Sequence, residues 1–235
     1  MSWSTTGPWP IKPPGNNGPT TTISPDSSKA KFINAKSAIW SGDCAWLDSL
    51  GSKPWIKTLE QFQWTWPKKI NRSQVQHLFK LGFMEHHTNV IFCGGVGLGK
   101  THLAIALAHT ACVAGHTVLY APAVNVINHL LAAQTTHRLK SEIKKYLTPQ
   151  LLVLDEVGYL PIDKAGADLL FQVISARYER NSTVITTNKA YKQWPSILNN
   201  DTGLTAALLD RLLHHAETIL VDGNSYRMKD RVEDP

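Results

Sequence analysis

The chain has 235 residues, of which 43% are hydrophobic and 18% charged, so it has enough apolar material for a core and too few charges for a wholly disordered chain. Its 24 Lys and Arg exceed its 18 Asp and Glu, and the net charge of +6 favours a polyanionic partner. No apolar run reaches the roughly 18 residues of a membrane span, so we expect no membrane contact. The 3 cysteines form no disulfide framework, so we expect a cytoplasmic protein.

The first 52 residues differ in composition from the rest. Pro, Gly, Ser, Thr and Asn dominate this segment, and it has no apolar period. Such a composition does not bury enough apolar surface to offset the entropy of ordering. We therefore predict a low-complexity N-terminal tail over 1–52, disordered or aberrant, and a folded domain over 53–235 that begins with a short helical lead-in.

Beyond residue 53 the chain alternates between apolar runs and helical patterns. Five apolar runs predict strands, in chain order 89–93, 117–121, 151–154, 183–187 and 218–221. Asn71 and Asp163 are predicted N-caps, Gly115 is predicted to end the helix after the first strand, and the helix from Asp163 is expected to reach about Arg180. Apolar strands separated by helices indicate an α/β fold with a parallel sheet covered on both faces.

A glycine-rich segment lies between the first predicted strand and the next helix. Residues 94–101 read GGVGLGKT, which matches the phosphate-binding pattern G-x-x-x-x-G-K-[ST]. The glycines let successive backbone N–H groups face an anion, and the helix N-terminus adds its positive dipole end. A chance Gly-rich turn is the alternative, but the flanking strand and helix favour a triphosphate site. The predicted nucleotide-binding residues are Gly94, Gly95, Val96, Gly97, Leu98, Gly99, Lys100, Thr101 and His102.

Within this site, Lys100 and Thr101 have separate predicted roles. Lys100 is expected to reach the β- and γ-phosphates, and the Thr101 hydroxyl to bind Mg²⁺. Both follow from their places at the end of the phosphate-binding pattern.

Polar residues follow two other predicted strands. Asp155 and Glu156 come directly after 151–154, and Asn188 follows 183–187. We expect Asp155 to hold Mg²⁺, Glu156 to deprotonate the attacking water, and Asn188 to contact the γ-phosphate and that water. The alternatives are two solvated acids at a strand end and an Asn that caps a helix.

These residues together resemble the IstB-like branch of the AAA+ ATPases, close to the DnaC helicase loaders. The similarity runs from about Ile56 to about Arg231 and includes GKTHLAIALA, LLVLDEVGYLPID, FQVISARYERNSTVITTNK and ALLDRLLHHA. It implies the AAA+ (ASCE) form of the P-loop NTPase fold, a three-layer sandwich. Numbering the predicted strands along the chain, the implied five-stranded parallel sheet has the order 5-1-4-3-2.

The resemblance also implies an activity and partners. Similar family members are helper ATPases of insertion sequences, so we expect an Mg²⁺-dependent ATPase that forms a homo-oligomer on DNA, largely without sequence preference, and assists a transposase. Arg211 is implied as an arginine finger that reaches the γ-phosphate bound by a neighbouring subunit, worth roughly 10³-fold or more in rate. The alternative for Arg211 is pairing with Asp210 or with acids near Asp155.

Other functions stay open. A replicative helicase loader shares the same motor and differs in its partner. A small-molecule kinase shares the phosphate loop, but Glu156 as a base for water argues against it. Residues 1–52 do not match the helical, basic segment that family members carry there, which leaves a divergent start, a truncated or frame-disrupted copy, and a degenerate nucleotide-binding protein as interpretations.

Two further patterns could serve nucleic acid. The aromatic residues of 62–66, next to Lys68 and Lys69, either stack bases or pack against the core. The basic stretch 138–145 either contacts DNA phosphates or is a solvated helix face.

Two minor expectations concern His and Arg side chains. Adjacent residues of a helix do not share a face, so the pairs His86–His87 and His214–His215 are not expected to bind zinc. Arg177, near the end of a predicted helix, is expected at the sheet edge as a contact between subunits.

Overall fold

The computed structural model describes residues 57–231 and the short strand at 38–40. The remainder of the predicted tail, 1–37 and 41–56, and the last residues, 232–235, lie outside the described residues. The predicted boundary between tail and domain at 52 and 53 therefore stays a prediction.

The described strands form one six-stranded sheet with the order β1-β3-β4-β5-β2-β6. They are β1 (Ala38–Trp40), β2 (Asn89–Gly94), β3 (Val118–Pro122), β4 (Leu151–Val157), β5 (Ser182–Thr187) and β6 (Ala216–Val221). The neighbours among β2 to β6 are parallel, and numbered from one to five along the chain these strands have the expected order 5-1-4-3-2. β1 was not expected, and it pairs antiparallel with β3 at the edge of the sheet.

Helices precede the first parallel strand and connect the parallel strands. They are α1 (Arg72–Leu78), α2 (Gly82–Glu85), α3 (Lys100–Val113), α4 (Ala123–Thr135), α5 (Leu139–Leu147), α6 (Lys164–Arg177), α7 (Trp194–Ile197) and α8 (Thr202–Leu213). Asn71 and Asp163 accept the expected N-cap hydrogen bonds from Gln74 and Gly166. α6 ends at Arg177, earlier than expected, because Tyr178 leaves the helical conformation.

The alternation of side chains along the strands builds two cores. In β4, Leu151 and Val153 pack into the core shared with α3, whereas Leu152 and Leu154 pack into the core shared with α4, α6 and α8. A strand buried on both faces needs a continuous apolar run, which is why LLVL has no polar alternation. The result is a three-layer α/β sandwich. Of the helices in the described part of the chain, none combines the length and apolar character of a membrane span.

Arg177 corrects one expectation. It is only 2% exposed, so it lies in the interior and is not a surface contact between subunits. Its guanidinium donates to carbonyls of Tyr146, Pro149, Gln150 and Ser182 and to the Thr183 hydroxyl, at 2.6 to 3.4 Å. Burial lowers the pKa of Arg177 to about 9, which still leaves it charged at neutral pH. Arg177 therefore joins the loop after α5 to the start of β5.

Candidate nucleotide-binding site

The glycine-rich loop runs from the end of β2 to the start of α3, as expected. Gly97 and Gly99 have left-handed backbones, with φ of 75° and 86°. A Cβ on Gly97 would lie 2.1 Å from Ser225 Oγ, and one on Gly99 would lie 2.6 Å from Phe62 Cε2. Conformation and space therefore both require glycine here. A loop of this kind at a helix N-terminus fits a chain of phosphates.

Lys100 lies across this loop. Its Nζ donates to the Gly95 carbonyl at 2.6 Å. Burial is the main cause that lowers the pKa of Lys100, while the negative charges of Asp155 and Glu156 act in the opposite direction. The loop lysine and the two predicted acids are thus close enough to interact, although they come from separate parts of the chain.

Three hydroxyl groups surround the Asp155 carboxylate, which is 4% exposed. Thr101 and Thr186 donate to Oδ1 at 3.0 and 2.5 Å, and Tyr120 donates to Oδ2 at 2.6 Å. Burial, followed by the charge of Asp155, raises the pKa of Tyr120 above its usual range. The contact between Thr101 and Asp155 places the two predicted Mg²⁺ ligands side by side, and hydroxyl and carboxylate oxygens are ligands that Mg²⁺ prefers.

A bulge in β4 separates the two acids. Leu154 pairs with Ile185, but Val157 pairs with Thr187, so β4 contains one extra residue at this point. Glu156 has a left-handed φ of 61° and its side chain is exposed, whereas Asp155 is buried. The bulge therefore turns one carboxylate into the sheet and the other toward solvent.

Thr186 holds this arrangement together and was missed in the sequence. Its hydroxyl donates to Asp155 Oδ1 and accepts from the Glu156 N–H at 2.9 Å. The only signal available was a threonine within a buried strand, since a buried hydroxyl needs a hydrogen-bond partner.

Asn188 directly follows β5. Its Oδ1 is buried and has no hydrogen-bond partner within the described residues. Such acceptors are rare in folded proteins unless water or a ligand satisfies them. The position agrees with the expected contact to a γ-phosphate and its attacking water, which stays a prediction.

The segment before α1 packs against the loop. His102 Nε2 is 2.8 Å from the Thr58 carbonyl, and the Phe62 ring contacts His102 edge to face with centroids 5.5 Å apart. Trp66 Nε1 donates to the Asn224 carbonyl at 2.9 Å. The aromatic residues of 62–66 thus pack against the domain. The contact of His102 with this segment is what the structure shows; its contact with nucleotide stays a prediction.

The segment after β6 covers the other side of the loop, and no pattern in the sequence indicated this contact. Tyr226 N–H donates to the Gly97 carbonyl at 2.9 Å. The positive charge of Arg227 adds to burial in lowering the pKa of Lys100. Arg227 therefore contributes a second cation near the loop.

Arg211 lies on α8, and its contacts within the chain differ from the pairing with acids that was the alternative to an arginine finger. Its Nη1 donates to the Ala207 carbonyl at 2.8 Å, and its guanidinium lies 5.0 Å from the centroid of the Phe171 ring. No acid among the described residues forms a salt bridge with Arg211, so the expected alternative of pairing with Asp210 or with acids near Asp155 is wrong, and the role of an arginine finger stays a prediction. The guanidinium is held on α8 itself.

Comparisons of sequence identify relatives of this chain. Residues 48–234 match the family described as IstB-like ATP binding protein. The chain is 43% identical over 178 residues to a protein of insertion sequence IS21 from Pseudomonas aeruginosa, covering 76% of this chain and 67% of that protein. It is 38% identical over 181 residues to a protein of insertion sequence IS232 from Bacillus thuringiensis subsp. berliner, covering 77% and 72%. Both relatives are named for ATP binding.

Solved structures show the same fold. The DnaC helicase loader has a TM-score of 0.58 at 21% identity, covering 72% of this chain and 98% of that chain. DnaI has a TM-score of 0.61 at 17% identity, covering 70% and 90%. Together with the phosphate loop and the sheet order, the family match is decisive: this chain belongs to the family of IstB-like ATP-binding proteins of the AAA+ class.

Proposed function

We propose that this protein is an Mg²⁺-dependent AAA+ ATPase that assembles on DNA and assists the transposase of an insertion sequence. One observation carries the proposal. Thr101 and Asp155, 54 residues apart in the chain, share a 3.0 Å hydrogen bond, and Glu156 lies next to them. The residues proposed for the metal, the phosphates and the base thus lie together at the carboxyl ends of the strands, and phosphoryl transfer to water needs such an arrangement.

The loop would bind ATP through its backbone N–H groups, with Lys100 on the β- and γ-phosphates. The missing Cβ atoms of Gly97 and Gly99 leave space for Ser225 and Phe62, which pack against the loop. Thr101 and Asp155 would hold Mg²⁺, which neutralises phosphate charge when it is bound. Arg227, near Lys100, would add positive charge on the same side.

Glu156 would take the proton from the attacking water. The carboxylate is exposed and next to the buried metal ligand, as a base for water requires. The unpaired Oδ1 of Asn188 would accept the second hydrogen of that water. Both assignments place the water between β4 and β5, on the phosphate side of the sheet.

Thr186→Val should lower kcat for ATP hydrolysis by roughly 10- to 100-fold, because a hydrogen bond to a charged group is worth about 1.5–3 kcal/mol. The valine keeps the shape of the threonine and removes both contacts that orient Asp155 and Glu156. Thr186→Ser, which keeps the hydroxyl, should retain most of the activity. The rate of steady-state phosphate release, compared between Thr186→Val and Thr186→Ser, measures the effect of the hydroxyl. Equal loss in both would make Thr186 a packing residue only.

Arg211 is proposed to act on ATP bound by a neighbouring subunit. Within its own chain the guanidinium rests on Phe171 and Ala207, so it is ordered on the surface of α8. An arginine held in this way is available to a second copy, and a guanidinium at the γ-phosphate stabilises the charge of the transition state.

A mixing experiment tests the action of Arg211 between subunits. Lys100→Ala leaves a subunit without a working phosphate loop, and Arg211→Ala leaves one without the finger. Each variant alone should be nearly inactive, and an equal mixture should regain part of the ATPase activity, since intact loops then meet intact fingers. A mixture as inactive as its components would show that Arg211 does not act in this way.

The DNA-binding part of the proposal is supported by α5 and by the net charge of +6. Arg138, Lys140 and Lys144 are exposed on or next to α5, while Lys145 is neutralised by Glu142 at 2.6 Å. Tyr146, on the other side of the helix, is buried. α5 thus has a core face and a basic face, and the basic face suits phosphates of the DNA backbone.

The transposase is the favoured partner because relatives of 43% and 38% identity belong to insertion sequences. The helicase loader DnaC has the same fold, but at 21% identity its likeness to this chain extends to the fold alone.

The particle mass in solution tests the assembly, with and without Mg-ATP and duplex DNA. We expect growth only with both, and a long-lived complex for Glu156→Gln. Monomers under every condition would refute assembly.

A further inference from the structure

Three side chains of types that can bind a metal ion lie together at the ends of the strands opposite the phosphate loop. Glu179 follows the end of α6, and His214 and His215 follow the end of α8. β5 begins three residues after Glu179, and β6 begins directly after His215. The cluster therefore lies at the amino ends of the strands, whereas the loop 94–101 lies at their carboxyl ends. The cluster is therefore separate from the proposed ATP site.

The two histidines share a face, contrary to expectation. α8 ends at Leu213, so His215 no longer follows the helical path, and the two imidazole rings lie with centroids 4.2 Å apart. The pair His86–His87 is also exposed, but within the described residues it has no third ligand beside it. The helix end thus brings together two ligands that a continuous helix would separate.

The distances approach those of a coordination sphere. Glu179 Oε1 lies 3.8 Å from His214 Nδ1 and 3.8 Å from His215 Nε2. All three ligand atoms lie within 4.8 Å of one another. Bond lengths of about 2.0–2.2 Å to a tetrahedral Zn²⁺ place neighbouring ligand atoms roughly 3.3–3.6 Å apart. Because about half of each side chain is exposed, small rotations about side-chain bonds suffice to close the difference.

The backbone around the cluster also favours a cation. Two helices, α6 and α8, direct their carboxyl ends toward this region, and the partial negative charge of a helix C-terminus stabilises positive charge nearby. Glu179 adds a carboxylate and has a left-handed φ of 56°, a conformation that is uncommon outside glycine. Uncommon backbone conformations of this kind occur often at functional sites, so the conformation of Glu179 supports a functional role for the cluster.

We propose that Glu179, His214 and His215 bind Zn²⁺ and so join the end of α6 to the end of α8. Two imidazoles and one carboxylate are ligands that suit Zn²⁺, and three protein ligands leave a fourth position for water. The site also restrains Arg211, which lies one turn earlier on α8. The proposal does not depend on the ATPase activity.

Tyr178 gives the proposal a distinctive consequence. Its hydroxyl shares a hydrogen bond with His214 Nδ1, the nitrogen that faces Glu179. A metal at this nitrogen must displace the hydroxyl. Tyr178→Phe should therefore bind Zn²⁺ more tightly than the wild-type protein, although it removes a hydrogen bond from the folded state.

Titration of the full chain with Zn²⁺ and with Co²⁺, in the absence of nucleotide, tests the site. We expect one equivalent to bind, with the visible absorption of tetrahedral Co²⁺ and without the near-ultraviolet band of cysteine thiolate ligands. Glu179→Gln and His215→Ala should each weaken binding by at least roughly 10-fold, because the loss of even an outer-shell partner of a metal ligand costs that much. The double variant His86→Ala, His87→Ala is the matched control and should bind like wild type.

Other results would overturn the proposal. Equal affinity in wild type and in His215→Ala would place the metal elsewhere, as would loss of binding in the control. Weaker binding by Tyr178→Phe would contradict His214 Nδ1 as a ligand. Because all three ligands are exposed, the variants should remain folded, and circular dichroism checks this.

Discussion

Replacing Glu156 with Gln is expected to lower kcat for ATP hydrolysis by roughly 10²- to 10⁴-fold, the usual contribution of a positioned general base. The amide of Gln has the same shape but does not accept a proton from the attacking water. ATP affinity should stay nearly unchanged, because the contact of residue 156 with Thr186 uses its backbone N–H, which Gln keeps. Phosphate release and nucleotide affinity, measured on the same preparation, separate the two effects.

Glu85→Gln is the matched control for this variant. Glu85 is an exposed carboxylate in α2, away from the loop, so its replacement should leave both quantities unchanged. A hydrolysis rate for Glu156→Gln equal to that of the control would show that another group activates the water.

Replacing Arg177 with Met is expected to reduce the free energy of unfolding by roughly 3–5 kcal/mol, because each buried acceptor left unsatisfied costs about 1–3 kcal/mol. The variant leaves the carbonyls of Tyr146, Pro149 and Ser182 without their donor in a buried site. Arg177 forms no salt bridge within the described residues, so its replacement also removes an uncompensated buried charge. This gain offsets only part of the loss, because the carbonyls are left without a donor. Unfolding in urea measures this effect: the urea concentration at the midpoint should fall, while the dependence of the unfolding free energy on urea concentration stays the same.

Arg177→Lys provides the second arm of that experiment. Lysine keeps the charge but offers a single ammonium in place of the planar guanidinium, so it reaches fewer of the five acceptors. We expect its stability to lie between those of wild type and Arg177→Met. A change below about 0.5 kcal/mol for Arg177→Met, the size of a surface effect, would show that the site repacks without cost.

The fold and the proximity of the predicted site residues were largely predictable because they depend on local patterns. The phosphate-binding loop, its flanking strand and its helix are continuous in the chain, and apolar runs mark all five parallel strands. Asp155 and Glu156 follow one of these runs directly. A parallel sheet brings the carboxyl ends of its strands to one edge, so their proximity to Lys100 followed from the topology.

Contacts between distant segments were not predictable. The role of Thr186 depends on a bulge of one residue in β4, which no periodicity reveals. Arg177 looked like a surface residue, because its acceptors belong to a loop and a strand start that only the fold brings together. The cluster of Glu179 with His214 and His215 depends on where two helices end. Helix ends are the least predictable feature of a sequence, and α6 ends earlier than its pattern indicated.

The most direct test of the claim that residues 94–101 bind the triphosphate is the affinity for a slowly hydrolysed ATP analogue. This affinity is compared between the wild-type protein, Lys100→Ala and Lys80→Ala. Lys80 is an exposed lysine near the end of α1 and serves as the control. Loss of a charge-assisted contact to phosphate is worth about 1.5–3 kcal/mol, so we expect at least a roughly 10- to 100-fold weaker affinity for Lys100→Ala and no change for Lys80→Ala. Equal affinity in all three proteins would contradict the assignment of this loop as the nucleotide site.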